Sequence, residues 1–112
     1  MYDTVDDEIE LLAWGARAWA ERTAAPYRWF DADLTGFCAL ASQKLFRLLT
    51  QTGHRPLLAA CFDEHVFVVL PDLDLLVDVT ASQFELPDVV ILRYSTVQAT
   101  ADVPSWWKPC AF

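Results

Sequence analysis

Residues 65–80, HVFVVLPDLDLLVDVT, contain the clearest structural signal of the chain, because a short turn separates two strand-like runs. The runs at 65–70 and 75–80 are rich in β-branched and other apolar residues, which are typical of buried strands. The intervening PDLD contains a proline and two aspartates, which favour a turn. The pattern predicts an antiparallel hairpin, and two similar runs extend it to a meander: LLAACF at 57–62 and VVILRY at 89–94.

The turn also determines which residues of the hairpin face each other. If residues 71 and 74 pair across it, the numbers of facing residues sum to 145. His65 and Asp78 then lie on one face of the sheet as diagonal neighbours, and a register shift of two places them directly opposite. Asp78 also interrupts an apolar strand, and a buried carboxylate requires a partner. The hairpin therefore predicts contact between an imidazole and a carboxylate, with pairing of Asp78 to Arg93 as the alternative.

Two helices are predicted to precede the sheet. Residues 6–24, DDEIELLAWGARAWAERTA, repeat apolar residues at helical spacing, with acidic residues in the first turn and arginines later. A second helix begins at Phe37 or Cys38, ends near Gln51, and carries one apolar stripe formed by Ala41, Leu45, Leu48 and Leu49. The order predicts a single α+β domain over residues 1–112, in which the cysteine-bearing helix packs on an antiparallel sheet.

The chain is acidic, with a net charge of −8 over 112 residues and a pI near 4.4. Such a charge repels phosphate backbones, so nucleic-acid binding is not expected, whereas a basic protein or peptide partner is favoured. Apolar residues make up 54% of the chain. No uncharged apolar run approaches the roughly 18 to 20 residues that a membrane span needs. The acidic N-terminus, MYDTVDDEIE, also differs from a secretory signal.

The three cysteines, Cys38, Cys61 and Cys110, form no CxxC pair, which indicates a reduced, cytosolic compartment rather than a disulfide framework. Cys61 lies within a strand-like run and is expected to be buried, and Cys110 is expected to be a free thiol without a special role. The spacing of the Cys, His and Asp residues matches no zinc signature. No metal and no cofactor are therefore predicted.

Cys38 follows Gly36 and opens the second predicted helix within DLTGFCALAS, residues 33–42. At a helix N-terminus the unpaired N–H groups and the helix dipole stabilise a thiolate, which lowers the pKa of the thiol. A thiolate enzyme also needs a base and a group that orients the base, and His65 and Asp78 are the candidates. The alternative is that Cys38 packs in the core, where cysteines are common.

The order of these three residues resembles that of papain-like and transglutaminase-like thiol enzymes. TGFCALAS, residues 35–42, is similar to the Gly-x-Cys entry of transglutaminase-like domains, and residues 65–84 resemble their His strand, turn and Asp strand. The resemblance implies that Cys38 is the nucleophile, His65 the general base and acid, and Asp78 the orienting group.

Asp78, Thr80 and Gln83 form an Asp-x-Thr-x-x-Gln pattern that is similar to bacterial hydrolases, deamidases and toxin or effector domains of this superfamily. The resemblance implies attack on an amide, a thioester intermediate, and transfer to water or an amine. A peptidase, glutamine deamidase or acyltransferase acting on a protein or peptide is therefore expected. Its expected location is the cytoplasm or, for an effector, the cytosol of a host cell.

The chain departs from the papain pattern at the oxyanion hole. Papain-type proteases place a glutamine a few residues before the cysteine, whereas no glutamine precedes position 43 here. The anionic intermediate would need the Cys38 backbone N–H and a second donor, for which the candidates are Trp29, Tyr27 and Gln83. The departure leaves open a rival function, in which an acidic, non-catalytic binding or inhibitor protein retains the fold.

Overall fold

The computed structural model describes residues 4–26, 36–61 and 64–112. Helices pack on an antiparallel sheet, which confirms the predicted α+β class. Two long helices precede the strands, α1 (Thr4–Ala24) and α2 (Cys38–Gln51). Within the described ranges, no helix combines the length and the apolar character needed to cross a membrane.

A sheet of five antiparallel strands follows the helices. The bounds of the strands are β1 Leu57–Cys61, β2 Val66–Leu70, β3 Leu75–Asp78, β4 Val90–Arg93 and β5 Pro109–Ala111. Their order in the sheet is β4-β3-β2-β1-β5, so the first four strands form the predicted meander. The ends of these four strands lie within two residues of the sequence-based bounds, which is the usual scatter at strand ends.

Two short elements of the C-terminal part were not predicted. Helix α3 (Tyr94–Ala99) has six residues, and β5 has three. Neither is long enough to repeat an apolar pattern, so periodicity could not identify them. β5 adds to the sheet beside β1, where Ala60 faces Ala111.

The pairing of β2 with β3 has the predicted register. Val68 faces Val77 and Leu70 faces Leu75, so the numbers of facing residues sum to 145. Asp74 closes the turn between the strands with a φ of 53°, a left-handed conformation that aspartate adopts more readily than most residues. The turn chemistry therefore sets the register that places His65 and Asp78 on one face.

The helices cover one face of the sheet, the helical face. Small side chains let the two helices approach closely, because five alanines are fully buried: Ala13, Ala16, Ala20, Ala24 and Ala41. The strands and the residue that follows β3 contribute aliphatic side chains to the same core: Val68, Leu70, Leu75, Val77 and Val79. Burial of this apolar surface is the main driving force for packing α1 and α2 on the sheet.

The opposite face of the sheet, the C-terminal face, is covered by residues that follow β4. Its buried core consists of Ala59, Cys61, Phe67, Val69, Leu76 and Trp107. Partly buried side chains of α3, Tyr94 and Val97, pack against it. Since successive side chains of a strand point to opposite faces, the same strands supply both cores.

A buried charge links α1 to the segment after β3. Arg17 is 1% exposed, and its guanidinium pairs with Glu21 at 2.7 Å. It also donates to the Val79 carbonyl oxygen at 3.1 Å and to the Ser82 hydroxyl at 2.8 Å. These contacts hold the segment after β3 against the helical layer and satisfy a cation that would be costly to bury alone.

Candidate functional site

Cys38 is the first residue of α2, so the helix begins at one of the two residues predicted from the sequence, Phe37 or Cys38. Gly36 has a φ of 86°, which turns the chain before the helix. The carbonyl of Phe37 accepts the first helical hydrogen bond, from the Ala41 N–H at 3.0 Å. The Cys38 side chain is partly buried, and its Sγ lies 3.6 Å from the carbonyl oxygen of Glu64. The thiol therefore faces the turn that leads into β2.

A tight turn brings His65 to the start of β2. The Glu64 N–H donates to the Cys61 carbonyl at 3.0 Å, and the Cys61 N–H donates to the His65 carbonyl at 2.9 Å. Glu64 has a left-handed φ of 67°, which costs a non-glycine residue about 1 to 2 kcal/mol. The surrounding contacts hold this conformation. The imidazole of His65 is consequently directed inward, and the residue is only 3% exposed.

Asp78, the last residue of β3, is fully buried and accepts hydrogen bonds on both carboxylate oxygens. Its Oδ2 accepts from His65 Nε2 at 2.8 Å and from Trp107 Nε1 at 2.8 Å. Its Oδ1 accepts from the Thr80 backbone N–H at 3.0 Å. These donors replace the water that a buried carboxylate loses. The predicted contact between His65 and Asp78 is present, whereas Arg93 donates to a backbone carbonyl elsewhere.

The thiol of Cys38 and the imidazole of His65 lie close enough for each group to shift the pKa of the other. Burial raises the pKa of Cys38, but the hydrogen bond with His65, hydrogen bonds with the Val66 and Ala39 backbones, and the charge of the imidazole outweigh it. The pKa of Cys38 therefore lies below its ordinary value of 9.0. The thiolate is favoured by the groups that surround the start of α2.

His65 responds in the opposite direction. Burial lowers the pKa of its imidazole, but hydrogen bonds with Asp78 and Cys38, together with their charges, raise it from 6.5 to about 9. A lowered thiol pKa beside a raised imidazole pKa favours a thiolate–imidazolium pair. The two groups exchange one proton between them, so they titrate as a pair.

Gln83 borders the second ring nitrogen of His65. It lies in a 3-10 turn at Ala81–Phe84, directly after β3. Its amide Nε2 is 3.1 Å from Nδ1 of His65 and 3.0 Å from the Thr80 hydroxyl oxygen. The predicted role of Gln83 in binding an oxyanion or substrate stays a prediction, and its contact with the imidazole is an additional finding.

The other two oxyanion candidates, Tyr27 and Trp29, lie outside the described residues. The prediction that Cys61 is buried is confirmed, and its Sγ lies 3.2 Å from the Trp106 carbonyl oxygen. The side chain of Cys110 is likewise outside the described part. Over the described residues, no group of three or more His, Cys, Asp or Glu side chains is arranged to hold a metal ion.

Aromatic side chains enclose the imidazole on the C-terminal face. The ring of Phe84 meets His65 edge-on, with 4.8 Å between centroids and an interplanar angle of 86°. Trp106 stacks on Phe84 at 4.4 Å and 8°. Trp107 packs beside Trp106 at 6.3 Å and 70°. Sequence reasoning missed these rings as part of the site, because the segment that contains the tryptophans has no periodic pattern.

Comparison with known proteins gives no family assignment, since no protein-family model, no curated protein and no solved structure matches the chain. A functional interpretation must therefore be built from the geometry of Cys38, His65 and Asp78.

Proposed function

We propose that this protein is a thiol-dependent amide-bond enzyme with a papain-like or transglutaminase-like core. Cys38 is the nucleophile, His65 the general base and acid, and Asp78 the group that orients His65. The observation that carries this proposal is the hydrogen bond from the His65 imidazole to the buried Asp78 carboxylate, beside a Cys38 thiol whose pKa the same imidazole lowers. A nucleophile, a base and an orienting group within hydrogen-bond reach form the arrangement that covalent catalysis requires.

In the thiolate–imidazolium pair the proton of Cys38 is already on the imidazole, so the first chemical step is attack of the thiolate sulfur on an amide carbonyl carbon. A C–S bond forms, and the carbonyl π electrons move to the oxygen. When the tetrahedral intermediate collapses, the C–N bond breaks, and His65 gives its proton to the departing amine or ammonia. The product is a thioester on Cys38. Attack by water or by a second amine, again assisted by His65, releases the acyl group and restores the thiol.

Asp78 keeps the imidazole in the productive orientation. Its Oδ2 accepts a hydrogen bond from Nε2 of His65, so the lone pair of a neutral imidazole lies on Nδ1, 3.1 Å from the Gln83 amide nitrogen. In the proposed reaction this lone pair takes up the proton of Cys38. The negative charge of Asp78 also stabilises the imidazolium, in line with the raised pKa of His65. Because Asp78 is buried and accepts from three residues, its orientation is set before substrate binds.

The oxyanion of the tetrahedral intermediate needs N–H or O–H donors. The backbone N–H of Cys38 is the first donor in this proposal, since N–H groups of a first helical turn have no partner within the helix. Tyr27, Trp29 and Gln83 are candidates for the second donor. Of these, Gln83 has a described position, beside the imidazole.

The substrate in this proposal is a protein or peptide, and the chemistry is hydrolysis, glutamine deamidation or acyl transfer. The net charge of −8 favours basic substrates. Action in the cytoplasm, or as an effector in a host cytosol, fits a nucleophile that must stay reduced.

Alkylation of the native protein by iodoacetamide tests the proposal without knowledge of the substrate. The rate at each thiol is mapped by mass spectrometry between pH 5 and pH 10. We expect Cys38 to react fast with an apparent pKa below 9.0, because the thiolate is the reactive species. Replacement His65→Asn is expected to return the apparent pKa to the ordinary range. Wild-type protein in which Cys38 has been alkylated is expected to lose activity on glutamine-containing peptides. This activity is measured as ammonia release or as amine incorporation.

Cys61 is the internal control for this measurement, since it is buried in the same molecule and is expected to react slowly at every pH. A Cys38 that reacts at the ordinary thiol pKa and is insensitive to His65→Asn would contradict the enzyme proposal. That result would favour a non-catalytic, acidic binding protein with the same fold.

A further inference from the structure

Trp107 lies outside the three proposed catalytic residues, yet it contacts one of them directly. Its indole Nε1 donates to Oδ2 of Asp78 at 2.8 Å, the oxygen that also receives Nε2 of His65 at 2.8 Å. We propose that Trp107 is a positioning residue: it fixes the carboxylate of Asp78 so that His65 keeps its hydrogen on Nε2 and offers Nδ1 to Cys38. This inference rests on the proposed function.

The chemistry of the donors supports this role. An indole N–H can only donate, and the same holds for the Thr80 backbone N–H that binds Oδ1 at 3.0 Å. With donors on both oxygens, the carboxylate of Asp78 is an acceptor towards His65, and the shared hydrogen belongs on Nε2. Nδ1 of a neutral imidazole then has a lone pair, which accepts from the Gln83 amide at 3.1 Å and in the proposed reaction takes up the proton of Cys38.

Trp107 is itself held in place by contacts other than Asp78. It is 6% exposed and belongs to the core of the C-terminal face. The backbone N–H of Trp107 donates to the Pro104 carbonyl oxygen at 3.0 Å, and the backbone carbonyl oxygen of Trp107 accepts from Gln98 Nε2 at 2.7 Å. Strand β5 begins two residues later and pairs with β1. The indole therefore reaches Asp78 from a fixed backbone, as a positioning residue requires.

The neighbouring tryptophan provides a matched control. Trp106 lies in the same 3-10 turn, Ser105–Trp107, and its ring stacks on Phe84. Among the described residues its indole N–H has no hydrogen-bond partner. Substitution of either tryptophan by phenylalanine removes the same atoms from the same segment, but only one substitution removes a donor from Asp78.

The experiment compares Trp107→Phe with Trp106→Phe by two measurements. The rate of Cys38 alkylation by iodoacetamide is followed from pH 5 to pH 9. The ¹⁵N shifts of the His65 ring are recorded above pH 9, where the ring is neutral, and report which nitrogen carries hydrogen. For Trp107→Phe we expect a loss of roughly tenfold in the alkylation rate near pH 6.5, the size expected when a hydrogen bond to a charged group is lost. The His65 ring shifts are expected to move towards a mixture of tautomers. For Trp106→Phe we expect a change within about twofold and ring shifts like those of the wild type.

Two further measurements test the inference even if the Trp107→Phe variant does not fold. β-(3-Benzothienyl)alanine at position 107 keeps the shape of the ring and replaces only the N–H by sulfur. In the wild type, the indole proton resonance of Trp107 is expected to move with the same midpoint as the His65 ring, near pH 9, because both groups share Oδ2. The indole resonance of Trp106 is expected not to follow that midpoint.

The inference is overturned if a side chain without the indole N–H at position 107, either phenylalanine or β-(3-benzothienyl)alanine, leaves the alkylation profile of Cys38 and the tautomer of His65 unchanged. It is also overturned if the Trp107 indole proton does not follow the titration of His65. Failure of the proposed function looks different, since it appears in the wild type as an ordinary pKa of Cys38. A lowered pKa in the wild type, together with an unaffected Trp107 variant, would reject this inference alone.

Discussion

The two faces of the sheet are built from the same strands but hold different chemistry. The helical face is an aliphatic core with a seam of alanines between α1 and α2. The C-terminal face combines a smaller apolar core with Trp107, and on the same face lie the polar side chains of His65 and Asp78. The proposed site forms where the two faces meet, because Cys38 belongs to the helical layer and His65 to the opposite face. Both faces therefore contribute an apolar core, whereas the C-terminal face also holds the polar side chains of the proposed site.

Removal of Asp78 gives the largest effect expected from this comparison. For Asp78→Ala we expect amide-bond activity to fall by on the order of 10³ to 10⁴-fold, as for loss of the orienting group in other triads. His65 then stays buried without its carboxylate partner, so its pKa falls from about 9 and the free energy of unfolding drops by about 3 to 5 kcal/mol. Ammonia release from glutamine-containing peptides, urea denaturation and ¹⁵N NMR of the His65 ring measure the three effects.

The exposed Asp72 of the same hairpin is the control for this variant. Asp72→Ala is expected to change the free energy of unfolding by less than about 0.5 kcal/mol and to leave His65 unaffected. A pKa of His65 that stays near 9 in Asp78→Ala would show that the carboxylate does not stabilise the imidazolium. That result would contradict the role assigned to the C-terminal face.

Two leucine-to-alanine substitutions, one in the core of each face, compare the influence of the two faces on stability and on the site. Leu45 is fully buried on the helical face and Leu76 on the C-terminal face, so each change to alanine is expected to lower the free energy of unfolding by about 2 to 5 kcal/mol. Only Leu76→Ala is expected to alter the pH profile of Cys38 alkylation, because Leu76 packs in the core that holds Trp107. Denaturation curves give the stabilities, and alkylation is measured on folded protein. Equal profiles in the two variants would mean that the faces do not differ in their influence on the site.

The pH dependence of stability gives the smallest and most specific effect. The pKa of His65 is raised from 6.5 to about 9, so its contribution to stability is complete below pH 6.5 and is lost as the pH rises through 9. The pKa of Cys38 is lowered from 9.0, so its contribution is present above pH 9.0 and is lost as the pH falls through the folded value. In the wild type the two trends oppose each other between pH 6.5 and 9.

Replacement Cys38→Ser removes one of these trends. Because Cys38 no longer raises the pKa of His65, that pKa falls below about 9 in this variant. From pH 6.5 up to this lower pKa, we expect the free energy of unfolding to decline more steeply than in the wild type, by up to about 1.4 kcal/mol per pH unit. Urea denaturation at several pH values compares the two proteins. Parallel curves would show that thiol and imidazole are not coupled across the junction of the faces.

The sequence predicted the helical face and the hairpin well, because both are repetitive. Apolar spacing located α2, and the turn between β2 and β3 gave the register that brings His65 and Asp78 together. The isolated charge of Asp78 in an apolar strand correctly indicated a buried partner.

The C-terminal face was harder to predict because it depends on single contacts between residues far apart in sequence. The hydrogen bond from Trp107 to Asp78 joins positions 29 residues apart, and no periodic pattern or motif of the sequence predicts it. β5 pairs with β1 over a few residues, so the pairing depends on tertiary packing rather than on local preference. The residues of the hairpin were identifiable from the sequence, whereas the residues that surround them were not.

Glu64 has a mechanical consequence for the site. Its carbonyl oxygen faces the sulfur of Cys38, and the residue that follows it carries the imidazole that binds Asp78. Its left-handed backbone therefore places the carbonyl that contacts the sulfur directly before the residue that carries the imidazole. A displacement of this turn would therefore move the imidazole together with the carbonyl oxygen that contacts the sulfur.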